Sequence, residues 1–303
     1  MKTSLLILAG ICLCVAGCEN KIEKKDAWST GLSACSGRPV YIDKSSINPK
    51  YAALSTSEKK IKGLALIDVT THQYWQHPSW SKYGTLGPIA TDKYGNSYIA
   101  PVPVINILSN IPDEQNTLYR VDGVSGEMKT FLTLPMTNKS TEENPYGLIG
   151  LHYDCHAEVL FASSIMGSEM NTENGTIYIV NVEEPSIIDQ LDHIDALGMA
   201  VSGTTGEKRL YFGSCRQSDI YSIEIGKNSH FIGKPQLEFS LDMLGPRGDD
   251  KARKIIFKSD GEMIIKGIAF DYNLTAPTEK LESEYSFIYD RALKKWLINP
   301  AYQ

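Results

Sequence analysis

The chain is predicted to be all-β, a single β-propeller of four-stranded blades, and two observations carry that expectation. First, short β-branched and aromatic runs end in polar turns along nearly the whole chain. Helical periodicity is scarce, apart from a weak pattern near Ile187 to Leu197. Second, one closing hairpin recurs: an apolar strand, a polar turn and another strand. The copies are "GLALIDVTTHQYWQH", "TLYRVDGVSGEMKTFLTL", "TIYIVNVEEPSIIDQL", "DIYSIEIGKNSHFIG" and "YSFIYDRALKKWLI". Their turn-entering residues are Asp68, Asp122, Asn181, Glu224 and Asp290, at intervals of 54, 59, 43 and 66.

In chain order, the first element is a targeting segment. Lys2 precedes an apolar stretch from Leu5 to Ala16, followed by Val15-Ala16-Gly17-Cys18. The stretch is too short to span a bilayer. A charged start, a short apolar run and small residues before a cut mark a secretory signal over residues 1–17. Residues 18–34 are charged and poor in apolar side chains, the composition of a flexible spacer. Residues 35–303 form the propeller domain. Within it, "GRPVYIDKSSINPKYAALSTS" supplies inner strands of the first blade or the closing strand of the last.

An upstream hairpin precedes each later copy: "GPIATDKYGNSYIAP", "GLIGLHYDCHAEVLFAS", "GMAVSGTTGEKRLYFGS" and "KIIFKSDGEMIIKGIAF". Two successive hairpins make a four-stranded unit, and Asp, Gly, Asn and Lys suit its tight turns. One such unit cannot bury both faces alone. Packing units around an axis buries them and leaves only short edges. Five repeats are visible, and counts of five and six blades both stay open. Two smaller β-sandwiches are the rival architecture, and the repeated double hairpin argues against them.

Composition removes several function classes. The formal charge of −6 gives no basic surface for nucleic acid. There is no Gly-x-Ser-x-Gly elbow, His-Glu-x-x-His, phosphate loop or Cys-x-x-Cys-His. Cys12 and Cys14 fall in the signal. Beyond Cys18, three cysteines remain: Cys35, Cys155 and Cys215. At most one bridge forms within the chain, and the pair stays open.

Two resemblances follow from quoted motifs. Val15-Ala16-Gly17-Cys18 resembles the lipobox of bacterial lipoproteins. This implies lipidation of Cys18, a bilayer as partner and a cell-envelope location, with Glu19 rather than Asp leaning towards the outer membrane. "GPIATDKYGNSYIA" resembles the blade signature of NHL proteins and the gluconolactonase/SMP-30 family. "PYGLIGLHYDCHAEVLFAS" is a looser match. The second resemblance implies a runner-up function, a divalent-metal-dependent hydrolase with calcium as cofactor. That family places an Asn or Asp ligand at its blade starts. Here the matching positions hold Leu86, Tyr146 and Leu197, with Arg253-Lys254-Ile255 at the last. No catalytic or metal-binding residue is therefore carried over.

Other clusters have simpler readings. "LHYDCH" places His152, Asp154 and His156 at alternate positions, a pattern that can bind zinc on a strand. The expectation is instead a solvated turn with ordinary histidines. In "HQYWQHPSWSKYG", packing between blades is favoured for the aromatics, and Trp80 and Tyr83 are the better ligand candidates because they lie between hairpins. Long connections, "PVPVINILSNIPDEQN", "SIMGSEMNTEN" and "DYNLTAPTEKLESE", fall on one face with the between-blade segments. Loop length concentrated there predicts a binding surface. Val104, Asn106, Tyr146 and Arg216 are its candidate residues. The expected function is an envelope-anchored binding propeller that engages a protein partner or a small ligand through that face.

Overall fold

The structure is a computed structural model that describes residues 36–58, 61–103, 112–135, 139–141, 143–202, 208–258, 261–272 and 281–300. The N-terminal candidate Cys18 and the loop candidates Val104 and Asn106 lie outside those residues.

Five antiparallel sheets follow one another as the blades of a five-bladed propeller. Blade one has three strands among the described residues: β1 (Ala52–Ser55), β2 (Ala65–Asp68) and β3 (Tyr74–Trp75). Blade two has β4 (Leu86–Thr91), β5 (Ser97–Pro101), β6 (Thr117–Val121) and β7 (Met128–Thr133). Blade three has β8 (Leu148–Asp154), β9 (Val159–Ser164), β10 (Thr176–Asn181) and β11 (Ser186–Asp192). Blade four has β12 (Ala196–Ser202), β13 (Lys208–Ser214), β14 (Asp219–Ile225) and β15 (Phe231–Ser240). Blade five has β16 (Lys251–Phe257), β17 (Glu262–Ile268), β18 (Ser283–Asp290) and β19 (Lys295–Ile298).

Each repeat recognised in the sequence is one blade, so the count settles at five. The segment expected to start the first blade or close the last divides. Ala52–Ser55 pairs with β2 of blade one, while Val40–Lys44 is a 3-10 helix. The weak helical pattern near Ile187 is an outer strand. Its alternating exposure, with a register shift beside Val180, imitates a longer period.

The hairpin turns share one construction. Asp68 Oδ1 accepts from the backbone N–H groups of Thr70 and Thr71 at 2.9 and 3.0 Å. Asp122 holds Val124 and Ser125 in the same way, Asn181 holds Glu183 and Glu184, and Asp290 holds Ala292 and Leu293. A short side chain bonding two or three residues onward fixes a tight turn. The Thr70 hydroxyl, with the Thr71 N–H, holds Asp68 below the usual carboxylate range, and the Ser125 N–H and hydroxyl do the same for Asp122. Glu224, one methylene longer, does not follow the pattern. The turn of its hairpin is closed instead by Gly226 and His230.

Every residue of β9 and β12 is buried, whereas the outermost β11 and β15 alternate or stay half open. Apolar layers fill the gaps between blades. Tyr98, Leu118, Leu148, Leu160 and Tyr178 join blade two to blade three. Phe161, Ile177, Val201 and Phe212 join blade three to blade four. The face of blade five turned away from blade four leaves Ile256, Ile288 and Leu297 at 45%, 43% and 44% exposure.

At the axis, neighbouring inner strands meet with almost no side chain between them. A Cβ on Gly150 would lie 2.5 Å from the Leu197 carbonyl oxygen. One on Gly198 would lie 2.6 Å from the carbonyl oxygens of both Ala252 and Arg253. Two side chains complete the contact. Ser163 Oγ donates to Ala196 O at 2.6 Å, and the Val201 N–H donates to His152 Nε2 at 3.1 Å.

His152 and Asp154 are therefore strand residues, which corrects the solvated-turn expectation. The turn begins only after Asp154. That carboxylate is buried, accepts from the His156 N–H and pairs with Lys208 Nζ of blade four at 2.5 Å. Burial pushes His152 down from the ordinary 6.5 to about 4, against the opposing pull of Asp154.

Two outcomes follow. Gly198→Ala should lower stability by about 1–3 kcal/mol or more, because backbone carbonyls cannot yield as side chains do. Urea unfolding measures this. The folded His152 stays neutral where the unfolded one protonates. Its contribution is complete above the ordinary value and is lost as pH falls towards about 4. The slope should reach at most about 1.4 kcal/mol per pH unit. In His152→Gln that share of the slope should vanish, as read from urea midpoints above and within the window.

Candidate functional site

The long connections lie at the end of the propeller opposite the hairpin turns, and there the polar residues form a network. Its centre is Asp195, the residue immediately before β12. Asp195 is fully buried. Its Oδ1 accepts from Ser168 Oγ at 2.5 Å and from the Gly175 N–H at 2.9 Å. Its Oδ2 accepts from Tyr272 OH at 2.5 Å and lies 3.6 Å from Arg216 Nη1. Four charge-assisted contacts can offset the cost of burying a carboxylate.

Arg216 reaches this end, as expected from its place after a strand, but it is already engaged. Its guanidinium donates to the carbonyl oxygens of Glu169 and Met170 and sits 5.9 Å from the Tyr272 ring centre. It thereby ties the β13–β14 connection of blade four to the β9–β10 connection of blade three. The same β9–β10 connection is held by Asn144, whose Nδ2 donates to Ile165 O and Ser168 O at 2.8 and 2.7 Å. The stretch "SIMGSEMNTEN" is thus pinned loop, with Ile165, Met166 and Ser168 buried.

Beside this network is a cavity of about 260 Å³, lined by Glu173, Asp195, Phe212, Arg216, Gln217 and Tyr221 among others. Glu173 Oε1 accepts from the Asp195 N–H at 2.8 Å. Burial, aided by the Asp195 charge, holds Glu173 above the usual carboxylate range. Burial likewise raises Tyr272 and Cys215, so both stay protonated, and the Tyr272 hydroxyl remains the donor to Asp195. Cys215 is a free, buried thiol, whereas Cys155 is disulfide-bonded to a partner outside the described residues.

The remaining candidates are placed as follows. Tyr146 is half-buried and packs 5.6 Å from Phe270, within an apolar cluster of Ile165, Leu197, Cys215 and Tyr272. Trp80 is completely buried, and its Nε1 donates to Gly126 O at 2.7 Å. Tyr83 OH donates to Met128 O at 2.9 Å, with its ring 4.6 Å from Tyr119. Trp80 and Tyr83 therefore pack the blade one–two connection onto the outer hairpin of blade two, at a distance from the loop network. Packing explains both, and Trp80 has no surface left for a ligand.

The positions compared with lactonase ligands are apolar in place as well as in sequence. Leu86 and Leu197 are buried, and Arg253 points outward to pair with Glu282. Among the described residues, no three His, Cys, Asp or Glu side chains gather as a metal set. Acidic residues missed at these blade starts lie one or more positions earlier. Asp250 directly precedes β16 and accepts from Arg247 and from Tyr285 OH, the latter at 2.7 Å. Burial raises its carboxyl, but those bonds, with Ser283, more than offset this and hold it low. Asn144, Asp195 and Asp250 form a recurring Asx before three blade starts, visible in "NPYG", "DALG" and "DKAR". Each is saturated by its own protein partners.

Tyr272→Phe should cost about 1.5–3 kcal/mol, the range for a bond to a charged group. Tyr83→Phe, which loses a neutral bond, should cost about 0.5–1.5 kcal/mol. Paired urea titrations compare the two.

No family model matches the chain, and no curated protein matches it in sequence. Among solved structures it is similar to a protein of unknown function from Bacteroides caccae, at 10% identity and a TM-score of 0.43, over 80% of this chain and 92% of that one. It is also similar to a glucose dehydrogenase, at 12% identity and 0.42, over 73% of each chain. A third is BamB from Moraxella catarrhalis, at 9% identity and 0.40, over 78% of this chain and 61% of that one. Likeness at this level carries no activity over to this chain.

Proposed function

We propose that this propeller is a lipid-anchored envelope protein that presents its long-loop end to a protein partner or small ligand. The observation that carries the reading is Val15-Ala16-Gly17-Cys18, which puts a cysteine at the one position where lipoprotein processing requires it. Two or more acyl chains make a stable anchor, at about 0.8 kcal/mol per buried methylene. Glu19 after the cysteine favours the outer membrane over the inner.

The path of the chain supports an orientation. Past residue 35 the backbone runs across the hairpin turns of blade two. Gly37 N–H donates to Asp92 O and Val40 N–H to Gly123 O, both at 2.7 Å. A tether from Cys18 reaches the propeller at the short-turn end. Fully extended, the residues between would span at most about 60 Å. The long-loop end then faces away from the bilayer, where a partner can approach. Its cavity mixes Glu173, Gln217 and Arg216 with Phe212 and Tyr221, and the Arg216–Asp195 network forms its floor.

Cys18→Ser should move the protein from the membrane fraction to the soluble one. Continued sedimentation after a salt wash would remove the anchor. A photo-crosslinker at exposed Gln217 should capture an envelope component from intact cells. One at Lys294, an exposed residue of a hairpin turn at the opposite end, should capture none. Equal capture at both positions would remove the loop-end reading.

A further inference from the structure

A second cavity, lined by described residues, lies at the other end, among the hairpin turns. It measures about 740 Å³, within the range of small-ligand sites. It runs over the hairpin turns of blade three, from blade two to the 227–229 turn of blade four. Tyr98 and Arg120 line it from blade two, Val182 lines it from the face of blade three that packs towards blade two, and Val159 and Ile188 line it from the face towards blade four.

Arg120 is the unusual group in this cavity. It pairs with Tyr98 across the β5–β6 ladder, so it shares the face that packs towards blade three. Its Nε is buried and meets no hydrogen-bond partner. No ion pair holds its guanidinium among the described residues. The nearby carboxylates are already occupied. Asp92 accepts from the N–H groups of Tyr94 and Asn96, from Asn96 Nδ2 and from Tyr98 OH, at 2.8 to 3.2 Å. Asp122 is filled by its own turn, and Glu158 is paired with Lys93 and bonded by Tyr94 OH. Of the other charged groups lining the cavity, Lys227 and Glu183 sit in turns at the rim.

A guanidinium with its Nε buried and unpaired carries a cost that an external partner can offset. Its planar fork matches a carboxylate bidentately. We propose that this cavity is a second binding site, which takes an organic carboxylate with its anionic end on Arg120. The ligand body then lies along Val182, and the polar side chains of Asn181 and Asn228 meet its outer end. This site is separate from the long-loop end and does not depend on the reading of that end.

The test uses the soluble mature chain and two carboxylate probes from different sources, digalacturonate and N-acetyl-dialanine. Each is paired with its uncharged methyl ester or amide. Calorimetric titration should show binding of at least one acid, with loss of at least tenfold in affinity for its neutral form and in Arg120→Gln. Which acid binds tells a sugar acid from a peptide terminus. Failure of both acids at millimolar concentration overturns the proposal, as does binding indifferent to the charge or to Arg120→Gln. A second measurement guards against a structural role. Without ligand, Arg120→Leu should keep or raise the melting temperature, because it removes an uncompensated cation. A marked fall would show that the guanidinium already serves the fold, and it too overturns the proposal.

Discussion

Everything else in this propeller depends on how closely its inner strands approach at the axis. Gly150 and Gly198 place one blade's backbone against the next blade's carbonyl oxygens, with no room for a methyl group. The inner strands of blades two to five touch one another in order, β4 on β8, β8 on β12 and β12 on β16. Ser163 and His152 then bond across the same seams. The register of each blade follows from this contact. Three inner strands, β4, β8 and β12, shift register near their starts at Gly87, Gly150 and Gly198, and β16 shifts between Ala252 and Lys254. With the centre filled by backbone and by Leu197, Ile165 and Tyr272, ligand space is displaced to the outer parts of the gaps between blades.

Local turn chemistry was legible in the sequence because it is local. An Asx side chain closes its turn within three residues, and four of the five recognised turns follow that rule. The fifth shows its limit, since Glu224 looks similar in a sequence but is too long to make the bond. Blade boundaries were legible for the same reason, because each is a pair of hairpins. The polar residues at the two ends were harder to read. Asp195 bonds Ser168 and Tyr272, far apart in the chain, and nothing near "DALG" announces them. Arg120, in the middle of "TLYRV", looks like the solvated residue of an alternating strand. Only the packing of blade two against blade three buries its Nε without a partner, and that packing is a property of two sheets together.

The two ends of the molecule put their charges to different uses. At the long-loop end, carboxylates, tyrosines and an arginine satisfy one another and lock connections that would otherwise be free. That network is finished, and whatever binds there must use its rim. At the short-turn end, carboxylates are spent on turns and on the Lys93 and Lys208 pairs, which leaves a guanidinium over. The first arrangement holds loops in place and the second leaves binding capacity open. A large cavity and a rigid loop surface therefore need not share an end.

The leftover thiol has a consequence for biogenesis. Cys215 sits in the apolar cluster at the axis, where burial, with Asp195 and Glu173 nearby, suppresses its thiolate. An unpaired cysteine in an oxidising compartment is a hazard only while it is accessible, since exchange proceeds through the thiolate. Under the export proposed above, blade three, which carries the bridged Cys155, would leave the translocation pore before Cys215 does. Once blade four docks, Cys215 drops out of the exchange. Correct pairing is then protected by the order in which blades emerge and close, with no need for a second cysteine to occupy the spare one.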